Sequence, residues 1–296
     1  MIPPVANRFV AGETPAEVLE YVRQLNAEGI SAMINRLGSH YDNQPLTDGE
    51  SRAQADLEEY QRLAHDISNA GLEAALSVKP TQLGLSDSEE RFHRLFGELA
   101  ETAAETDVFC WLDMEEHSTR EPTLEAFVAA SEKHGGGVGV CLQTDLTRTP
   151  EDVDRLADVP GKVRFVKGGS YGEPPSVAYT DQKRRDRAYR EVLEQGFRQF
   201  GDGIAVATHD PAMIDYAKEL HQEYGTDFEF QMLMGVRPEA QRTLATTYPF
   251  WQYVPYGTRW KRWFINRAKN NVPLATRAVA EQLVPARVQA SLSLRD

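Results

Sequence analysis

Glu73-Ala-Ala-Leu-Ser-Val-Lys79 and Val108-Phe-Cys-Trp-Leu-Asp113 are two short apolar runs, each closed by a charged residue. The segment between them, Ser88–Glu105, repeats its apolar residues at helical spacing. Strand, helix and strand in that order form a parallel β/α unit, because parallel neighbours need a crossover of a dozen or more residues. The unit recurs on both sides of this stretch. Further strand candidates are Gly29–Arg36, Val138–Gln143, Val163–Lys167, Ile204–Thr208, Phe228–Met232 and Trp251–Val254. Helical spacing marks Pro15–Ala27, Gly49–Asn69, Thr123–Lys133, Asp181–Gln199 and Pro211–Tyr224, with start signals such as Thr14 and Asp210-Pro211. Eight such units predict a closed (β/α)8 barrel of the TIM type, with an open doubly wound sheet as the alternative. The expected layout is a single domain over 1–296. Extension helices precede a barrel of about 29–271, and a tail of 272–296 follows it.

Composition narrows the function classes. With 41% hydrophobic residues, 12 Phe, 11 Tyr and 4 Trp, the chain can bury a large core. No run of about 18 apolar residues is present, and the N-terminus lacks a basic segment followed by an apolar one, so a cytoplasmic protein is expected. Cys110 and Cys141 sit in apolar runs and read as reduced core residues. The formal charge of −13 opposes nucleic-acid binding.

In a barrel of parallel strands, sites gather at the C-terminal strand ends. Those ends carry Lys79, Asp113, Gln143, Lys167, Thr208 with His209, Gln231 and Tyr253. Strand alternation puts Ala75, Ser77 and Lys79 on one face, and Phe109, Trp111 and Asp113 on one face. Arg164 and Lys167 differ in parity, so one of them must lie beyond the regular strand. Lys79 could bind an anion or simply snorkel. Asp113, Glu115, His117 and His209 admit a metal-hydrolase reading, although acids capping a helix explain Glu115 and Glu116 as well. Val163-Arg-Phe-Val-Lys-Gly-Gly-Ser-Tyr171 ends in a basic, glycine-rich turn suited to phosphate or to a cofactor gaining negative charge, and no G-x-G-x-x-G is present. At helical spacing, Trp260, Trp263 and Arg267 share a face that could cover a flat ligand.

In order, Ser77-Val-Lys79, Asp113-Met-Glu115, Cys141-Leu-Gln143, Arg164-Phe-Val-Lys-Gly168, Ala207-Thr-His209, Phe228-Glu-Phe-Gln-Met-Leu233 with Gly235, and Tyr253-Val-Pro-Tyr-Gly257 resemble the pattern of the proline dehydrogenase family. The resemblance implies FAD-dependent oxidation of L-proline to Δ1-pyrroline-5-carboxylate by hydride transfer to flavin N5. Electrons then pass to a quinone-type acceptor, usually at a membrane, so peripheral membrane contact is part of the expectation. Asp113 and Arg164 are implied as catalytic, with Arg164 beside the flavin N5. Lys79, Tyr171, Leu233, Tyr253, Asn266 and Arg267 are implied to bind the substrate. Met114, Gln143, Arg164, Lys167, Gly168, Gly169, Thr208, His209 and Gln231 are implied to bind FAD. No metal ligand and no oligomeric state are implied. No DNA-binding or aldehyde-dehydrogenase segment is recognised, so a stand-alone enzyme is expected.

Four departures from the family pattern bear on substrate. The paired arginines of the terminal helix read Asn266-Arg267. The acid supporting that pair reads Asn270. A tyrosine one turn earlier reads Trp263. The turn Lys167-Gly-Gly-Ser-Tyr171 is one residue longer. Asparagine cannot replace a bidentate guanidinium grip without loss. A related cyclic imino acid such as hydroxyproline is therefore an alternative substrate, and a flavin-binding protein without catalysis is a further reading.

Overall fold

Eight parallel strands hydrogen-bond in sequence order and close on themselves, the last beside the first. They are β1 (Ser31–Arg36), β2 (Ala74–Val78), β3 (Cys110–Leu112), β4 (Val138–Gln143), β5 (Lys162–Val166), β6 (Ile204–Ala207), β7 (Phe228–Leu233) and β8 (Phe250–Tyr256). The computed structural model describes residues 2, 4–38, 52–168 and 171–261. The helices are α1 (Pro4–Asn7), α2 (Pro15–Ala27), α3 (Arg52–Ala70), α4 (Glu89–Thr106), α5 (Arg120–His134), α6 (Thr149–Leu156), α7 (Gln182–Gln199), α8 (Pro211–Tyr224) and α9 (Pro238–Ala245). The expected (β/α)8 barrel is therefore the fold, with all eight strand candidates in place. Two helices, α6 and α9, were not anticipated. Each has only 8 residues, too few for a helical repeat to stand out.

Local chemistry accounts for the boundaries. Thr14 caps α2 in a capping box, its hydroxyl accepting from the Glu17 amide while the Glu17 carboxylate accepts from the Thr14 amide. β2 stops at Val78 because Lys79 precedes Pro80, which cannot donate to a ladder. Lys79 is held extended, as a residue before proline is, and Pro80–Leu83 forms a 3-10 turn ending on Gly84 at φ +90°.

Two apolar layers result. The outer one packs strand faces against helices and includes Leu76, Val78, Leu112, Val140, Phe165, Val206 and Phe230 with Tyr60, Phe92, Phe127 and Tyr189. The inner one fills the barrel with Met33, Ala75, Trp111 and Ala205, joined by Phe109, Trp251 and Tyr253. Ala75 and Trp111 thus face inward, on the parity read from the sequence. Trp111 lies opposite Gly139 in the β3–β4 register. That glycine is what admits the indole. A Cβ there would stand 2.6 Å from two ring carbons of Trp111 and 3.0 Å from the Lys162 carbonyl oxygen.

Trp260 departs from its expected role as a ligand cover. Its indole is buried among Ile2, Ala6, Phe9, Val10 and Leu37 and donates to Glu13 Oε1 at 2.9 Å. The N-terminal segment supplies an apolar seat that sequence spacing alone could not reveal. No helix among the described residues is long and apolar enough to cross a membrane.

The Gly139 contact yields a stability test. Gly139→Ala overpacks the barrel interior and is expected to cost about 1–3 kcal/mol, read as a lower urea midpoint. An unchanged midpoint would mean that Trp111 has room to move and is not wedged.

Candidate functional site

Asp113 follows β3 directly, and its backbone amide still pairs with the Val78 carbonyl at 2.9 Å, so its side chain enters the barrel with Trp111. Its carboxylate accepts four donors from three strands. Oδ1 accepts from Ser77 Oγ at 2.7 Å and from an Nη of Arg164. Oδ2 accepts from Tyr253 Oη at 2.9 Å and from Lys79 Nζ at 3.2 Å. Burial pushes this carboxyl up. The Lys79 and Arg164 cations, with the Ser77 and Tyr253 hydrogen bonds, outweigh burial and bring it down to about 2. Tyr253 moves the other way, pushed up to about 12 by burial and by the Asp113 charge. Burial pulls Lys79 down, but Tyr253 and Asp113 hold it above the ordinary lysine value.

Lys79 Nζ also donates to Asn35 Oδ1 at 3.2 Å, while Asn35 Nδ2 donates to the Ser77 carbonyl at 2.7 Å. Asn35 is fully buried. It was not among the expected site residues, although it has the inward parity of Met33 at the end of an apolar strand, the same mark that picked out the other strand ends. Arg164, also buried, stacks its guanidinium over the Trp111 ring at 5.0 Å, and an Nη lies 3.5 Å from Gln231 Oε1. Burial acts first on Tyr171 and raises its phenol, with the Glu115 charge adding to it and Lys79 and Asp113 also acting on it.

A second group lies along the ends of β4, β5 and β6. Gln143 donates through Nε2 to the Glu115 carbonyl at 3.1 Å. Its Oε1, the Thr144 hydroxyl and the Arg164 Nε are buried with no hydrogen-bond partner. Gly168 sits at φ +73°, and a Cβ there would fall 1.6 Å from Asp145 Oδ1, so only glycine lets the backbone pass. Lys167 lies one residue past β5, which resolves its parity conflict with Arg164. Its Nζ bridges Asp186 at 2.7 Å and Asp210 at 2.6 Å. The Thr208 hydroxyl accepts from the Asp210 amide at 3.2 Å, and His209 Nε2 accepts from the Leu233 amide at 2.9 Å. That last bond fixes the imidazole and ties the end of β6 to the end of β7.

The Met114 side chain joins the outer apolar core. Gly169, Trp263, Asn266, Arg267 and Asn270 lie outside the described residues. The residues of the metal alternative are not brought together. Glu115 accepts from the Thr81 amide and hydroxyl at 2.9 and 3.0 Å, His117 pairs with Glu173, and His209 faces Leu233. Among the described residues no group of three or more His, Cys, Asp or Glu side chains could hold a metal ion. Two surface clefts lie away from Asp113, one walled by Arg36, Glu59 and Arg259, the other by Glu89, Glu116 and Pro122.

Comparison with known proteins matches residues 18–262 to the family described as proline dehydrogenase. The chain is 35% identical over 266 residues to proline dehydrogenase 1 of Bacillus subtilis, covering 88% of this chain and 85% of that one. It is 32% identical over 275 residues to a proline dehydrogenase of Deinococcus radiodurans, covering 89% and 85%. Among solved structures, proline utilization A from Bdellovibrio bacteriovorus superposes with a TM-score of 0.80 at 22% identity, over 90% of this chain and 32% of that one. The corresponding protein from Corynebacterium freiburgense gives 0.72 at 19%, over 94% and 32%. The chain thus spans about a third of those longer proteins, and at such identities the likeness is one of fold.

The carboxylate network has a pH signature. Because Asp113 is depressed in the folded state, from 3.8 to about 2, its stabilisation is present above about pH 4 and is lost as pH falls toward 2. Asp113→Ala leaves the buried Arg164 and the partly buried Lys79 without their carboxylate and is expected to cost about 3–5 kcal/mol. Denaturant titration at neutral pH and at pH 3 tests both statements. The penalty should shrink at the lower pH, and a penalty independent of pH would rule out the charge as its source.

Proposed function

The chain belongs to the proline dehydrogenase family, and from that premise we propose that it oxidises L-proline to Δ1-pyrroline-5-carboxylate with FAD as resident cofactor, the electrons passing to a quinone-type acceptor. The observation that carries the reading is the convergence of Lys79, Asp113, Arg164 and Tyr253, drawn from four strands to one carboxylate. The onward acceptor, and a peripheral membrane contact to reach it, are proposed on the family resemblance alone.

The residues present fit a flavin. A buried acceptor at Gln143 Oε1 and a buried donor at Arg164 Nε are both unmet, and they suit a planar ring carrying donor and acceptor atoms on its edges. The Gly168 backbone passes where no side chain fits. Gln143, Arg164, Lys167 and Gly168 would hold the ring and its phosphates, with Met114, Gly169, Thr208, His209 and Gln231 assigned to the same cofactor. When bound, FAD supplies a two-electron acceptor able to take a hydride.

The chain's own residues then do the rest. Lys79 and Arg164 set two positive charges directly beside the Asp113 carboxylate, and a substrate carboxylate would be drawn to those two cations. Lys79 donates to that carboxylate, and Asp113 holds Lys79 and Tyr253 in place. With FAD bound, Arg164 would offer a fixed cation to a ring that gains negative charge on reduction, with no reorganisation needed. Tyr171, Leu233 and Tyr253 supply walls for a small apolar ring. Such positioning restricts the substrate to a reactive orientation.

Purified protein is expected to be yellow and to bleach when proline is added without air. Lys79→Met should raise KM for proline roughly 10- to 100-fold, as loss of a charge-assisted contact does, while bleaching persists at saturation. Yellow protein that no imino acid bleaches would leave flavin binding without catalysis, and colourless protein would end the reading. Asn266-Arg267 in place of paired arginines supports the second substrate reading, hydroxyproline or a substituted proline. Asn266→Arg is then expected to lower KM for proline by about tenfold. A wild type with unimpaired proline affinity that gains nothing from the arginine shows that proline itself is the substrate.

A further inference from the structure

Below the Asp113 carboxylate a second polar line crosses the barrel interior from β5 to β7 and back. Lys162 Nζ, at the start of β5, donates to Glu229 Oε2 at 2.6 Å. Glu229 Oε1 accepts from Gln231 Nε2 at 2.7 Å. Gln231 Oε1 then faces an Nη of Arg164 at 3.5 Å. Glu229, Gln231 and Arg164 are all nearly inaccessible, at 4%, 2% and 4% exposure. The sequence builds this line by alternation. In Phe228-Glu-Phe-Gln231 the two aromatic rings enter the outer core, and the two polar side chains enter the barrel.

Each joint admits one polarity. A carboxylate only accepts and a guanidinium only donates. The amide between them can therefore sit one way round, with its NH2 toward Glu229 and its oxygen toward Arg164. Turned over, it would set oxygen against carboxylate and NH2 against guanidinium, two repulsive contacts in a site without solvent. Lys162 in turn pairs with Glu229, and its ammonium lies 5.4 Å from the centre of the Phe109 ring at the end of the barrel remote from Asp113. Arg164 thereby has acceptors at two corners, Asp113 on one Nη and Gln231 on the other, above the Trp111 ring.

We propose that Glu229 is a positioning residue of this site, acting through the orientation it imposes on Gln231 to hold the Arg164 guanidinium against Asp113. What Arg164 is held to do rests on the function proposed above; that it is held this way does not. The assignment gives Gln231 a part besides cofactor contact, and makes the opening residue of β5 a remote member of the site.

The test uses Glu229→Gln and the exchange variant that adds Gln231→Glu, both in purified full-length protein. Glu229→Gln frees the amide to turn. It is expected to lower the melting temperature by several degrees and to reduce kcat for proline about tenfold, with KM changed less than about twofold, as misplacement of a charge used in the reaction does. The exchange returns an acceptor to Arg164, so most of the melting loss should be recovered, while kcat is not read in this variant because Gln231 is also assigned to the cofactor. If Glu229 serves only as the ion-pair partner of Lys162, that lysine faces an amide in both variants, the exchange recovers nothing, and the proposal is overturned. In an Arg164→Met background the melting penalty of Glu229→Gln should largely vanish, since it acts through the guanidinium. A penalty that stays whole also overturns the proposal. A wild type inactive on proline and unbleached by it would fail the functional reading, and the melting cycle would still decide the relay.

Discussion

Asp113 stands at the centre of the barrel as one buried carboxylate receiving four donors, and the strand order of the molecule is what lets it do so. Ser77 and Lys79 come from the second strand, Arg164 from the fifth and Tyr253 from the eighth. Only a closed sheet puts the eighth strand next to the first and within reach of the third. The carboxylate cannot be left partly satisfied without a penalty of several kcal/mol, nor can the cations around it. Each of these side chains is therefore fixed by the need of the others. The polar interior is maintained at the expense of apolar packing there. The large outer layer between strands and helices compensates, since nearly all the long aliphatic and aromatic side chains of the core lie in it.

Much of this was legible in the sequence, for reasons that differ from residue to residue. A parallel strand buried on both faces reads as a short apolar run, and a polar residue closing such a run has no reason to be there except at the mouth. That logic found Lys79, Asp113, Gln143, Gln231 and Tyr253. The same logic applied to the first strand points to Asn35, but that strand closes on Arg36, so its inward polar residue stands one place before the end and not at it. Glu229 was missed for another reason. It sits inside its strand, not at the end, and an acid between two phenylalanines reads as the solvent side of an amphipathic strand until the barrel is seen to be polar within. The pairing of Lys167 with Asp186 and Asp210, and the seat of Trp260 among the N-terminal residues, depend on segments far apart in the chain. No local pattern encodes such contacts.

Charge distribution links the fold to the chemistry. The chain as a whole carries −13, a field that repels small anions at long range. Directly around Asp113 two cations, Lys79 and Arg164, meet one carboxylate, while farther along the same end Glu115 acts on Lys79 and Lys167 is held between Asp186 and Asp210. A small anion thus meets repulsion over most of the surface and a pair of cations only beside Asp113. Screening by salt weakens the outer field while leaving the buried cluster nearly untouched.

The geometry at Lys79 indicates how such a cluster can be both rigid and ready to bind. An ammonium has three N–H donors, and here all are engaged, with Asn35 at 3.2 Å, Asp113 at 3.2 Å and Tyr253 at 3.1 Å. These distances exceed the 2.7–2.9 Å of a strong charge-assisted bond. The ammonium is shared among three partners instead of committed to one. Two of the three are neutral, so an arriving carboxylate can take one of those donors at small loss, while the ionised Asp113 keeps its own. Asn35 and Tyr253 would keep other bonds after such an exchange, the asparagine to the Ser77 carbonyl and the tyrosine to Asp113. The exchange costs least at Tyr253, whose hydroxyl still donates to Asp113, because giving up Asn35 would take from its Oδ1 the bond that Lys79 supplies.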